Sequence, residues 1–233
     1  MAFKLSKRLI AIAEMVDPSA YIADIGADHG YLPIHLVSNN RIQWAQAVEN
    51  KMGPYLNLKQ NVDRAGLASH ITVTLGDGIS NLNGGVDTLV VAGMGGEAIM
   101  NILSAHPENL SNIDTIIVDP HRDIKKVRVF MVNLGFHIQK EKMIKEDGIY
   151  YVIIKFKKGA PARPYNLDEY RLGPKLLESP DEVFYSYLLE QKKRVNKVLN
   201  GVQTKEKREM SLDIYRCIAR GIARCEAVQK EDK

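Results

Sequence analysis

Apolar positions follow two rhythms along this chain, and the change from one to the other divides it. Up to about residue 157, short apolar runs alternate with segments whose apolar positions recur every three or four residues. The runs Tyr21–Ile25, Trp44–Glu49, Ile71–Leu75, Thr88–Ala92 and Thr115–Val118 are rich in Val, Ile, Thr or Ala and predict strands. Leu32–Asn39, Gly53–Ala65, Gly96–Leu103 and Ile124–Leu134 predict helices between them, with Gly66 and Gly135 just past two of their ends. Strand and helix alternating in this way predict an α/β fold with a mostly parallel sheet covered on both faces.

After the fifth strand the alternation stops. Phe136–Ile144 and Ile149–Phe156 are separated only by Lys145-Glu146-Asp147-Gly148, and Asp-Gly between two strand-like runs predicts a hairpin. Residues 159–175, with Gly159 and prolines at 161, 164 and 174, read as a linker. Beyond it the period is helical. Ser179-Pro180-Asp181-Glu182 predicts a capped start, with Ser179 as the cap and Glu182 closing a capping box. Val183, Tyr187, Leu188, Val195, Val198 and Val202 follow, and Asn200-Gly201 offers an end or a kink. Leu212, Tyr215, Ala219 and Ile222 mark a second helix. Two helices of about 20 residues make an arm roughly 30 Å long. The expected division is a domain over 1–158 and a helical hairpin over 176–230.

Charge sharpens this division. The net charge of +4 is unevenly spread: residues 1–154 hold 14 Lys and Arg against 16 Asp and Glu, and residues 155–233 hold 18 against 12. A basic arm beside an acidic domain points to a polyanionic partner, although solvated helix faces give the same balance. Cys217 and Cys225 match no metal spacing, so no metal is expected, and two cysteines suit a reducing compartment. The run Leu9–Ala13 is too short for a signal peptide and is closed by Glu14, and no stretch approaches the roughly 20 apolar residues of a membrane span. A cytoplasmic monomer with no membrane contact is expected.

The chemistry concentrates at the strand ends. Asp24-Ile25-Gly26-Ala27-Asp28-His29-Gly30 follows the first strand and precedes a helix, as a nucleotide-binding loop must. Gly26 and Gly30 allow close backbone approach to a ligand. Position 28 is Asp where a dinucleotide fingerprint has its second glycine. A carboxylate there repels a pyrophosphate and attracts the sulfonium and ammonium of S-adenosylmethionine, so the loop favours the methyl donor over NAD. Glu49, 19 residues after Gly30 at the end of the second strand, can accept both ribose hydroxyls. Asp77 and Gly78, within Gly76-Asp77-Gly78, suit the adenine amine, and a plain turn accounts for them equally well. In Ala92-Gly93-Met94-Gly95-Gly96 the glycines leave room for a flat base, with Gly93 on the donor side and Met94 as an adaptable apolar contact. The terminal hairpin agrees: a class I methyltransferase sheet ends in an antiparallel hairpin, whereas a dinucleotide-binding Rossmann sheet adds a parallel strand.

Asp24–Pro33, Gly76–Gly78 and Ala92–Gly96 resemble the bacterial tRNA (adenine-22-N1)-methyltransferase family. Leu5-Ser6-x-Arg8-Leu9, the Asn61-to-Gly66-Leu67 spacing and the strand holding Tyr150 are similar to that family as well. The resemblance covers the whole chain, including the C-terminal hairpin. It implies a Rossmann-like class I fold, S-adenosylmethionine as donor, and N1 of adenine-22 in tRNA as acceptor. The family has Gln-Pro-Asn after the fifth strand, where this chain has Asp119-Pro120-His121. On this reading Asp28, His29, Tyr31 and Met94 stand beside the reacting atoms. Lys192, Lys193 and Lys197, with the stripe Arg216, Arg220 and Arg224, grip RNA. The competing readings are a methyltransferase of a small molecule or protein, an RNA-binding protein with a degenerate pocket, and an NAD-dependent oxidoreductase.

Overall fold

The computed structural model describes residues 5–201 and 204–231. Val202, counted above in the first arm helix, lies outside them. The chain forms two compact units, one of residues 1–142 and 151–161 and the other of residues 143–150 and 162–233.

The first unit carries the sheet. Its strands are β1 (Ile22–Ile25), β2 (Ala45–Glu49), β3 (Ile71–Leu75), β4 (Thr88–Met94), β5 (Thr115–Pro120), β6 (Phe136–Glu146) and β7 (Ile149–Lys158), in the order β3-β2-β1-β4-β5-β7-β6. The first five pair in parallel, and β7 runs antiparallel to β5. Every residue of β1, β2 and β5 is buried, which explains their near-continuous apolar runs: both faces of a parallel sheet are covered. The helices are α1 (Lys7–Met15), α2 (Tyr31–Ser38), α3 (Met52–Arg64), α4 (Gly96–Ala105) and α5 (Ile124–Asn133).

Helix α1 was not among the expected elements. It is nine residues long and is started by Ser6, whose hydroxyl accepts from the Leu9 N–H at 3.2 Å. Strand β4 runs two residues past the expected Ala92, through a register shift between Ala92 and Met94. An ion pair sealed from solvent, Arg128 Nε to Glu141 Oε1 at 2.7 Å, ties α5 to β6.

The second unit corrects the expected linker. Residues 159–175 hold α6 (Leu167–Leu172) and the start of α7 (Pro174–Glu178). Asn166 and Glu169 cap α6 reciprocally, at 3.0 and 2.8 Å. Pro174 opens α7 directly after Gly173, whose φ is 106°. Thus a proline that reads as linker is here the first residue of a helix, where its missing N–H is no loss.

Helix α8 (Glu182–Gly201) starts later than expected: Asp181, not Ser179, accepts from the Phe184 N–H at 2.8 Å. Ser179 instead closes α7. Helix α9 (Lys205–Glu231) has 27 residues, so it is roughly 40 Å long rather than 30 Å. The hairpin tip between β6 and β7 belongs with this unit, where Lys145 and Tyr150 both donate to Glu190, at 2.9 and 2.7 Å. Among the described residues no helix is long and apolar enough to cross a membrane.

Candidate active site

The order of the sheet reverses between β1 and β4, and a crevice opens outside the C-terminal ends of strands at such a switch point. A cavity of about 700 Å³ lies there. Its walls bring together Asp24, Gly26, Asp28, Tyr31, Glu49, Asp77, Gly78, Gly93 and Met94, residues spread over 71 positions of sequence but all at the ends of β1 to β4.

The loop after β1 is anchored by its own backbone. The N–H groups of Gly26 and Ala27 both donate to the Val48 carbonyl, at 2.9 and 3.2 Å, fixing the loop to β2. Gly26 has a φ of 73°, and a Cβ there would collide with the Met94 methyl. The loop then closes in a 3₁₀ turn over Asp28–Gly30. His29 sits at a φ of 59°, a conformation L side chains adopt at a cost, and the Asn61 amide holds it by donating to its carbonyl at 3.0 Å. This contact accounts for Asn61 on α3.

Two sequence expectations change here. A Cβ on Gly30 would strike Leu58 of α3, and Gly30 is absent from the cavity wall. Gly30 is thus required where the loop packs on α3. His29 does not line the cavity either. Its ring stacks on Tyr31 at 5.3 Å and 17°, and Tyr31 does line it.

The electrostatics suit a cation. Asp24 is only 6 % exposed, and its pKa is pushed up to about 7, by burial first and by the neighbouring Glu49 second. With Asp28, Glu49 and Asp77 the wall carries four carboxylates, against Arg8 and Lys51 as its cations. Asp77 lies beyond β3, where the Gly76 N–H reaches back to the Glu49 carbonyl at 2.9 Å. A cationic ligand relieves the crowding of Asp24 and Glu49; an anionic one aggravates it. The donor set thus fits a sulfonium with an attached ammonium.

Sequence reasoning placed no role on Arg8. Helix α1 carries it into the wall, where its Nη1 pairs with Asp119 Oδ2 at 2.7 Å and its guanidinium lies 5.5 Å over the Tyr151 ring. Asp119, where the chain departs from the resemblance, is 0 % exposed, and its Oδ1 has no hydrogen-bond partner. The His121 N–H donates to the Met94 carbonyl at 2.9 Å, so the departing loop still braces β4. No local pattern could reveal the Arg8–Asp119 pair, whose members are 111 residues apart.

The expected RNA-binding residues lie in the second unit and divide into two groups. Lys193, Lys197 and Arg216 are exposed, and Lys192 lies 5.7 Å from the Tyr215 ring. Arg220 instead grips Asp168 of α6 at 2.6 and 2.8 Å, and Arg224 donates to the Leu177 carbonyl of α7 at 3.4 Å.

Comparison with known proteins places this geometry. Residues 5–154 match the model of a methyltransferase domain. The tRNA (adenine(22)-N(1))-methyltransferase of Bacillus subtilis is 37 % identical over 157 residues, which cover 67 % of this chain and 66 % of that relative. Streptococcus pneumoniae Sp1610, solved in complex with S-adenosyl-L-methionine, is 30 % identical with a TM-score of 0.87, over 94 % of this chain and 100 % of that one. TrmK of M. capricolum, solved with the cofactor product S-adenosyl-homocysteine, is 28 % identical with a TM-score of 0.84, over 95 % and 99 %.

Proposed function

This chain belongs to the tRNA (adenine-22-N1)-methyltransferase family, and we propose that it transfers a methyl group from S-adenosylmethionine to N1 of an adenine in tRNA. Adenine-22 follows from likeness to its relatives, and the chain acts as a cytoplasmic monomer. The observation that carries the reading is the carboxylate-lined cleft at the reversal of the sheet order, with Gly93 of β4 at its end.

Glu49 accepts from the ribose hydroxyls, Asp77 lies toward the adenine, and Asp24 faces the ammonium. S-Adenosylmethionine, when bound, supplies a methyl on a positively charged sulfur, so neutral adenine N1 attacks through its own lone pair and no base is required. Positioning then carries most of the rate, because holding two reactants in line replaces a bimolecular encounter. Tyr31, backed by the His29 ring, offers a face on which an extruded base can stack. Met94 forms the apolar floor beside it, and Asp28, exposed at the rim, steadies the cation that forms on the methylated base.

Incubating the protein with labelled donor and unmodified tRNA, then mapping the modified nucleotide, tests this. Label at adenine-22 N1 is the expected result. Label at another atom, or none, refutes the assignment.

The arm contributes to RNA binding through Lys192, Lys193, Lys197 and Arg216. Reversing Lys193 and Lys197 to glutamate is expected to weaken tRNA binding and flatten its log–log salt dependence by roughly 1 per charge removed. Arg220→Ala is expected to act differently, lowering the melting temperature while leaving that slope nearly unchanged, because its guanidinium is committed to Asp168. Filter binding at several salt concentrations, alongside thermal melts, separates the two outcomes.

A further inference from the structure

Across the C-terminal edge of the sheet, Asp77, Glu49 and Asp24 stand at the ends of β3, β2 and β1, with Gly93 and Met94 at the end of β4. A donor held along the three carboxylates presents its methyl at β4, so the acceptor comes in over the next strand in the order, β5. His121-Arg122-Asp123 follows that strand. The segment is fixed to the end of β4 at two points: the His121 N–H donates to the Met94 carbonyl at 2.9 Å, and the Gly96 N–H donates to the Arg122 carbonyl at 3.1 Å.

The Arg122 side chain lies across Gly95, where a Cβ would stand 2.8 Å from its Nε and 3.3 Å from its Nη2. Gly95 has an ordinary extended backbone, φ −68° and ψ 149°, so no turn calls for glycine there. Its missing Cβ leaves a ledge for the guanidinium, one residue from Met94 on the cleft wall. The charge on this ledge is uncompensated. Among the described residues neither the Arg122 guanidinium nor the Lys125 ammonium has a partner, and both side chains belong to exposed residues. Lys126 beside them is paired with Asp123 at 2.8 Å. The first turn of α5 holds Lys125 and Lys126 and no acid, although the field of a helix disfavours cations at that end. An anion brought from outside offsets that cost.

We infer that Arg122, supported by Lys125 three residues on, grips a phosphate flanking the acceptor adenine and so positions that base beside Met94. An extruded base enters the cleft while its phosphates stay at the rim, where Arg122 lies. A guanidinium fork can take two phosphate oxygens at once, which fixes orientation as well as charge. The inference rests on the acceptor reading above and adds a contact in the catalytic unit that does not depend on the helical arm.

The test uses tRNA assembled from synthetic pieces, in which one of the two phosphates flanking the acceptor adenine is replaced by a neutral methylphosphonate. Methyl transfer to each modified tRNA and to the unmodified one is measured for the wild-type protein and for Arg122→Gln. One of the two replacements should lower the wild-type kcat/KM about tenfold, and Arg122→Gln should show a similar loss on unmodified tRNA with no further loss on that replacement. Arg122→Lys, which keeps the charge but not the fork, should recover part of the rate. Calorimetry should find the same S-adenosylmethionine affinity in all three proteins, which separates a lost RNA contact from a damaged fold. Losses that multiply at both positions overturn the inference, as does an Arg122→Gln protein with wild-type kcat/KM or with weakened donor binding. A wild-type protein that binds S-adenosylmethionine but methylates no adenine of tRNA removes the acceptor reading, and the inference with it.

Discussion

Asp24→Asn is expected to make the ligand-free protein more stable at pH 8 and to weaken S-adenosylmethionine binding at least a hundredfold. Both effects come from one buried carboxyl. Its pKa stands near 7 in the folded protein, against 3.8 when unperturbed, because burial and Glu49 oppose its charge. A shift of that size corresponds to roughly 4 kcal/mol of charge burial at alkaline pH. The asparagine amide removes the charge but brings its own unmet hydrogen bonds, at about 1–3 kcal/mol, which leaves a net gain on the order of 2 kcal/mol.

The sign can be checked with pH. Folded Asp24 keeps its proton up to about pH 7, whereas the unfolded chain releases it near 3.8. Stability from this group is therefore greatest below the lower value, falls as pH rises between the two, and is flat above 7. Asp24→Asn removes that fall but keeps the cost of its amide, so the variant should melt below the wild type at low pH, cross it between the two pKa values, and melt above it at pH 8. Donor affinity follows the opposite course. Pairing with an ammonium requires the ionised carboxylate, so wild-type affinity should fall by up to tenfold for each pH unit below 7. Calorimetry near pH 6 in buffers of different ionisation enthalpy should detect the released proton. Affinity independent of pH from 5 to 8 would remove Asp24 from contact with the ammonium.

Glu141→Ala is expected to destabilise the protein by about 3–5 kcal/mol, because it leaves the Arg128 cation buried without its carboxylate. Both side chains are sealed from solvent, and the pair joins α5 to β6. Arg128→Met combined with Glu141→Leu should recover most of this loss, since two apolar side chains of similar size remove the charge on both sides. Urea melts of the three proteins decide it. A double variant as unstable as the single one would show that the pair is more than an accommodated charge.

Much of the fold is legible in the sequence because its signals are local. Period-two and period-three-to-four patterns report which face of a short segment is buried, and Asp147-Gly148 reports a turn within four residues. The same holds for the loop from Asp24 to Gly30, whose glycines and carboxylates lie close together in the chain. Short helices are harder to read. Helix α6 is six residues and α7 five, too few for a period to show, and Pro174 resembles a linker unless the helix it opens is already known.

From the sequence alone came the parallel sheet with its terminal hairpin, the C-terminal helical pair, and the strand ends from which Asp24, Glu49 and Asp77 face one cleft. Tertiary structure alone decided what each polar group meets there. It packed Gly30 against Leu58 of α3, joined Arg8 to Asp119 across 111 residues, and committed Arg220 to Asp168. It also raised the Asp24 pKa. The reason is physical: the direction of a strand is a property of neighbouring residues, whereas burial and charge pairing depend on groups that only the folded chain brings together.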